Sequence, residues 1–292
     1  MVLMDRFTAV LKLTRIEHSV LLVIAVVAAE LIAGGFPAPA VLLISLVSPA
    51  LISMGAFAIN DYFDVAADRA NRRMDRPLVS GVLSKREAYI IAMFCLFVGA
   101  FLSLLINEAV FIVALAFALL AYLYSYRLKD MLLVGNVYVA LTMVIPFIYG
   151  DFVVSNAITA NIVLISLVIF LVGLAREIHG MIRDRRGDII ARRTRGLVAC
   201  VGVRNSAIIA FVLYIEGVLI SLYMFLCMAP FRANLVYIAP VAVADLIFLY
   251  IAVGHLTNNK RKFYDLARNL SLAAMGLALL SFLFSAVYYV AV

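Results

Sequence analysis

The sequence predicts an all-α polytopic membrane protein with nine transmembrane helices. Three observations predict it: the apolar composition, the length of the apolar runs and a one-sided placement of basic residues. Of 292 residues, 66% are hydrophobic and only 14% charged, with a mean hydropathy of +1.12. A soluble domain of this length carries far more polar surface than that.

Crossing about 30 Å of hydrocarbon takes roughly 20 helical residues. Nine apolar runs qualify, near residues 19–36, 38–59, 88–106, 109–126, 131–150, 159–176, 205–229, 233–255 and 270–291. Nine spans divide the polar segments into two alternating sets, one on each side of the bilayer. One set holds every Lys and Arg of the 24 except Arg232. It takes in Arg6, Lys12 and Arg15; Arg69 to Arg86; Arg127 and Lys129; eight arginines from Arg176 to Arg204; and Lys260 to Arg268. By the positive-inside rule the N-terminus is expected in the cytoplasm and the C-terminus outside, with the plasma membrane of a prokaryote as the expected location.

The first run follows Arg6 and Lys12 as a secretory signal would. It lies too far in, lacks a small-residue cleavage site and is followed by more spans, so it reads as the first transmembrane helix. Outer connections are short, such as the turn at Gly34 to Pro37 and the Asn107-Glu108 pair. Two cytoplasmic loops, 60–87 and 176–204, are long and polar and are expected to carry the chemistry. Each follows a span running from outside to inside, so a parallel internal repeat within a single transmembrane domain, residues 1–292, is expected. Cys95, Cys200 and Cys227 have no metal spacing and read as apolar filler. The net charge of +7 belongs to one membrane face, where it meets anionic headgroups or an anionic substrate; no nucleic-acid partner is indicated.

Asp61, Asp64 and Asp68 follow directly on the second run. At about 100° per residue, offsets of 0, 3 and 7 keep the three carboxylates within roughly 60° on a helix. Such crowding is unfavourable unless a cation offsets it. In the sixth loop Glu177, Asp184 and Asp188 repeat the pattern at offsets 0, 7 and 11, within about 40° if Gly180 and Gly187 leave the helix unbroken. A single Asp at a helix end is ordinarily a cap or a solvated charge, and arginines in such a loop ordinarily set topology or touch lipid. Two acidic stripes on one membrane face go beyond that. Mg²⁺ takes only one or two protein carboxylates and completes its shell with water and phosphate oxygens. Interleaved Arg72, Arg76, Arg183, Arg185 and Lys129 supply the counter-charge of a diphosphate.

Asn60-Asp61-x-x-Asp64-x-x-x-Asp68, followed by Asp75-Arg76-Pro77-Leu78 and Ser80-Gly81, resembles the first signature of the UbiA superfamily of intramembrane prenyltransferases. Asp184-x-x-x-Asp188 after Arg176-Glu177 is similar to that family's second aspartate motif, and Tyr124-Ser-Tyr-Arg-Leu-Lys129 to the Tyr and Lys element between them. The chain departs from the pattern at Met181, where many relatives carry an acid, and at Arg15-Ile16, where many have a Pro after the Arg.

The resemblance implies Mg²⁺-assisted ionisation of an allylic prenyl diphosphate, such as geranyl or geranylgeranyl diphosphate, and capture by a lipophilic acceptor. It implies Asp64, Asp184, Lys129 and Tyr124 as catalytic residues; Asn60, Asp61, Asp64, Asp68, Asp184 and Asp188 as metal ligands; and Arg72, Arg76, Lys129 and Arg183 around the diphosphate. Glu177, His179 and Tyr126 are further candidates, His179 for deprotonating the acceptor. Tyr62, Phe63, Tyr124 and Tyr126 can face an allylic cation with their rings, or simply pack at the interface. A glycerol-phosphate ether lipid, a quinone precursor, and a chlorophyll- or haem-type acceptor all stay open.

Glu216 and Asp245 fall at similar depth on consecutive antiparallel spans, where buried acids suggest function or a structural pair, and Glu30 is expected to snorkel outward. The former two support a rival reading, a transporter with its charge at the midplane. Most charge lies instead at one face. A phospho-alcohol transferase is a second rival, but its Asp-Gly-x-x-Ala-Arg element is absent.

Overall fold

The computed structural model describes residues 5–131, 133–155, 157–191, 197–258 and 260–291, with the side chains of 130, 185–191 and 291 outside the description. The described residues are helical with short connections. In order they are α1 (Arg6–Thr14), α2 (Ile16–Ala33), α3 (Pro39–Ala70), α4 (Pro77–Ser80), α5 (Lys85–Leu102), α6 (Glu108–Tyr126), α7 (Val134–Val154), α8 (Ala160–Ala191), α9 (Leu197–Cys227), α10 (Leu235–Thr257) and α11 (Arg261–Ala291). Among the described residues nine helices, all but α1 and α4, are long and apolar enough to cross a membrane. Phe94, Phe97, Leu105 and Leu246 point outward with over 60% of their surface exposed, as lipid-facing side chains do.

The acids do not lie in loops. The helix starting at Pro39 runs through Asn60 to Ala70, and the one starting at Ala160 runs to Ala191, each for 32 residues. Nothing between Asn60 and Ala70 breaks a helix, and hydrogen-bonded helix satisfies the backbone better than a loop where the chain leaves hydrocarbon. Gly180 and Gly187 are tolerated at about 1 kcal/mol each. The expected loop 60–87 shrinks to turns on either side of α4, closed by a capping box in which Ser84 and Glu87 satisfy each other's backbone amides. Within the expected loop 176–204, α8 occupies the start and α9 the end.

The chain divides into two compact units, one of residues through Val27 with Phe36–Lys129, the other of Ala28–Gly35 with Asp130 onward. In the first, α3 and α5 pack through small residues. A Cβ on Gly55 would lie 2.9 Å from both the Ala92 carbonyl oxygen and the Leu96 nitrogen, and one on Gly99 would lie 2.8 Å from the Ser48 carbonyl. The Ser48 hydroxyl donates to the Gly99 carbonyl at 2.8 Å across the same seam. In lipid, where burial gives no hydrophobic gain, such close approach is what holds helices together.

In the second unit, α8 packs against α9 around Val172, Ala175, Ile178, Ala210 and Tyr214. Asp245 accepts from the Ser221 hydroxyl at 2.5 Å, and the Tyr237 hydroxyl donates to the Ser221 carbonyl at 3.0 Å. Asp245 is therefore bonded by a serine rather than by Glu216, which lies exposed on α9, so the expected acid pair does not form. Glu30 is fully buried and does not snorkel. Asp151, unremarked in the sequence, is also fully buried and accepts from the Thr159 amide at 2.6 Å and the Ser155 hydroxyl at 3.1 Å, tying the end of α7 to the start of α8.

Gly55→Val should drive α3 against the Leu96 side chain, 2.8 Å from the new Cβ, and against the fixed backbone of Ala92 and Leu96. A loss of about 1–3 kcal/mol is expected, read as a lower unfolding temperature of the detergent-solubilised protein.

Candidate active site

In the first unit, the polar end of α3 carries the first acidic motif, and its three aspartates have three different environments. Asp61 is 2% exposed. Its Oδ1 accepts from Arg15 Nη2 at 2.9 Å, and Arg76 Nη1 lies 2.7 and 2.8 Å from its two oxygens. Arg15 sits in a left-handed conformation, φ 47°, at the break between α1 and α2, with its guanidinium 4.7 Å from the centre of the Phe57 ring, one turn before Asp61. Arg76 is extended because it precedes Pro77, which opens α4. The carboxylate thus pins two chain reversals to α3. The sequence groups Asp61 with the metal ligands and Arg76 with the diphosphate ligands; the structure instead turns them toward each other. Burial pushes the Arg15 pKa down from its usual value, and the Asp61 charge opposes that fall.

Asp64 remains about one-third exposed, and its Oδ1 lies 2.5 Å from Lys129 Nζ. Lys129 reaches it from a short 3₁₀ turn, Leu128–Asp130, after α6. Asp68, a turn further on, is partly exposed, and its backbone carbonyl accepts from the Arg73 amide at 2.9 Å. Asn60 lies inside α3, ten residues before its end, so it is not a cap. Arg72 is exposed in the following turn with φ 53°. Beside it Arg73 forks onto Asp75 at 3.1 Å through both contacts, and this bond holds the Asp75 carboxyl below the usual carboxylate range.

An aromatic cluster adjoins Asp64. Phe63 meets Tyr62, Tyr122 and Tyr126 with ring centres 5.1, 5.7 and 5.6 Å away, and Lys85 Nζ stands 4.6 Å over the Tyr62 ring. Tyr126 is exposed, whereas Tyr124 is partly buried on the same helix. Tyr62 therefore already holds a cation by its face.

In the second unit, α8 carries the second motif. Asp184 is about half exposed and is gripped by Arg183 through Nε at 2.8 Å and Nη2 at 2.6 Å. Glu177, two turns earlier on the same face, accepts from Asn136 Nδ2 at 3.4 Å and lies 3.8 Å from Arg176. The side chains of Asp188 and Arg185 lie outside the described residues. His179 is 2% exposed, with both ring nitrogens engaged inside the unit, so it is not available to take a proton from a bound acceptor. Met181, at the position where many relatives carry an acid, packs against the core of the unit.

Each motif therefore offers an accessible carboxylate with a cation already on it: Asp64 with Lys129, and Asp184 with Arg183. Among the described residues no cluster of three or more His, Cys, Asp or Glu is arranged to hold a metal. The donor set fits a hard cation that draws its remaining ligands from phosphate and water, and the displaced Lys and Arg suit phosphate oxygens.

The sequence profile of the UbiA prenyltransferase family matches residues 21–273. The chain belongs to that family. It is 36% identical over 275 residues to the digeranylgeranylglyceryl phosphate synthase of Archaeoglobus fulgidus, with 94% of each chain covered. In fold it matches a solved structure described as giving insight into digeranylgeranylglyceryl phosphate synthase in membranes, with a TM-score of 0.82 at 24% identity, covering 97% of this chain and 99% of the other. A UbiA homologue from Archaeoglobus fulgidus bound to GPP and Mg²⁺ matches with a TM-score of 0.67 at 23% identity, over 91% of this chain and 99% of that one. Nine apolar helices among the described residues, together with the UbiA family, make this an integral, multi-pass membrane protein.

Arg15, a topological charge by sequence, is in the structure a partner of Asp61. Its signal was the Arg15-Ile16 position in the family pattern. Asp61→Ala should leave two partly buried guanidiniums without their counter-charge and destabilise the protein by about 3 kcal/mol. Asp64→Ala removes a more exposed carboxylate and strands one cation, Lys129, rather than two, so it should cost less, about 1 kcal/mol, and thermal unfolding of the two variants side by side checks the contrast.

Proposed function

We propose that the protein transfers a prenyl group from an allylic isoprenyl diphosphate, with Mg²⁺, to a glycerol-phosphate ether lipid, as a digeranylgeranylglyceryl phosphate synthase does. The observation that carries this reading is the 36% identity to such a synthase along 94% of both chains. The chemistry of Asp64 with Lys129 and of Asp184 with Arg183 supports it.

In this reading the carbon–oxygen bond to the diphosphate breaks first, and its electron pair leaves with the diphosphate. Asp64 and Asp184, with Asn60, Asp68 and Asp188 as further ligands, hold the metal-bound diphosphate; Mg²⁺, when bound, supplies the positive charge that stabilises the leaving group. Lys129 and Arg183 turn from their carboxylates to phosphate oxygens, and Arg72 joins them there, where negative charge grows in the transition state. Asp61 acts at one remove, holding Arg15 and Arg76 in place. The rings near Phe63 and Tyr124 shield the allylic carbon from water, which would otherwise quench it. The acceptor hydroxyl oxygen then forms the new carbon–oxygen bond, and its proton passes to the released diphosphate.

The same proposal takes the whole chain as one catalytic domain, with the acidic motifs at the cytoplasmic face of a prokaryotic plasma membrane. The N-terminus is then inside and the C-terminus outside. Its support is the charge asymmetry, with Arg232 alone among the Lys and Arg residues falling in the other set of segments.

Asp64→Ala and Asp184→Ala should each lower Mg²⁺-dependent transfer by about 10²-fold or more while the protein remains folded. Incubation with labelled geranylgeranyl diphosphate and a panel of glycerol-phosphate and aromatic acceptors reads both rate and product. Full turnover by both variants, or a product on aromatic acceptors alone, would reject the assignment. Single cysteines placed at Arg72 and Arg232 in a cysteine-free background should label from opposite sides of sealed vesicles.

A further inference from the structure

A polar chain that the proposed mechanism does not use lies behind the second acidic motif, inside the second unit. His179 shares its helix face with Ala175, Ile178 and Ile182, all buried, in the i, i+3, i+4, i+7 spacing of a core stripe. Glu177 and Asp184 stand roughly 140–160° round the helix from it.

The Nε2 of His179 is 2.8 Å from the backbone carbonyl of Tyr264 on α11, and its Nδ1 is 2.6 Å from Nε2 of His255 on α10. A carbonyl only accepts, so Nε2 of His179 carries the proton and Nδ1 of the neutral ring accepts from His255. The Nδ1 of His255 is left as a lone pair, buried and without a partner among the described residues. The bonds therefore run in one direction, from α10 to α8 to α11. Tyr214, Phe263 and Tyr264 enclose His255 with ring centres 6.0, 6.0 and 5.8 Å away. Gly254 permits this, because a Cβ there would come 2.2 Å from Phe263 Cζ.

Two imidazoles in an apolar stripe are a poor choice for stability alone, since leucine would fill the same place without desolvating a polar ring. Their directional bonds supply what leucine lacks. We propose that the His255–His179–Tyr264 chain is a register lock, in which His179 and His255 are positioning residues that fix the height and rotation of the acid-bearing end of α8. An apolar stripe tolerates slippage, whereas a buried polar contact specifies one register. A slip of one residue would move Asp184 by about 1.5 Å along the axis and about 100° around it. The inference rests on the proposed function only in that Asp184 holds the metal-bound diphosphate.

The test compares His179→Leu, His255→Phe, the double variant and His179→Gln. Leucine and phenylalanine preserve bulk without a donor; glutamine keeps an N–H for the Tyr264 carbonyl. Transfer is measured against Mg²⁺ concentration, and amide exchange is followed over residues 176–184. His179→Leu and His255→Phe should need about tenfold more Mg²⁺ for half-maximal rate and should exchange faster over that stretch. Glutamine should recover most of the loss, and the double variant should be no worse than either single one, because the chain acts as a unit. An unchanged Mg²⁺ requirement in folded His255→Phe, or losses that add in the double variant, would overturn the lock. Should wild type show no Mg²⁺-dependent transfer, the proposed function fails and the exchange data alone decide the lock.

Discussion

A carboxylate at the edge of hydrocarbon has to bring its own counter-charge, and the two polar helix ends of this protein are organised by that requirement. Asp61 is the extreme case. At 2% exposure it has almost no water to solvate it, so Arg15 and Arg76 supply the hydrogen bonds that water would have made. Because those arginines come from the α1–α2 break and from the turn before Pro77, neutralising one charge also folds the polar segments back onto α3. Asp64 and Asp184 follow the same rule less strictly. Each keeps one cation and a share of solvent, so each can exchange that cation for another without leaving an orphan charge behind.

The composition and the period of the apolar runs made the helices legible, since length and hydropathy are properties of the sequence alone. The ends of the helices were less so. Asn60 to Ala70 falls in the polar segment 60–87, yet its acids carry helical spacing and nothing in that stretch breaks a helix. Residues 176–191 are helix for the same reason. Hydropathy marks where a chain leaves lipid; it does not mark where the helix stops.

The candidate site was legible as residue types and not as roles. Spacing placed Asp61, Asp64 and Asp68 on one face and gave no sign that Asp61 turns to two arginines while Asp64 meets Lys129. That difference comes from where Arg15, Arg76 and Lys129 arrive in space, which depends on a left-handed residue, a proline and a 3₁₀ turn. His179 shows the same limit. Its neighbours along the chain suggested catalysis, yet its position in the Ala175, Ile178, Ile182 stripe sends it into the core.

The 32 residues of α3 and of α8 exceed what a bilayer demands of them. At 1.5 Å per residue each extends about 48 Å, against about 30 Å of hydrocarbon. Asp64 and Asp184 stand at nearly the same height on their own helices, about 37 Å from the first residue in each case. In the proposed orientation each helix is a stilt that lifts its acid to headgroup level while its lower turns stay in oil. An amphiphile with a charged head and a long isoprenoid tail has the same vertical profile, so the proposed function would grip such a molecule at the depth where it already floats, with no need to drag it out of the bilayer.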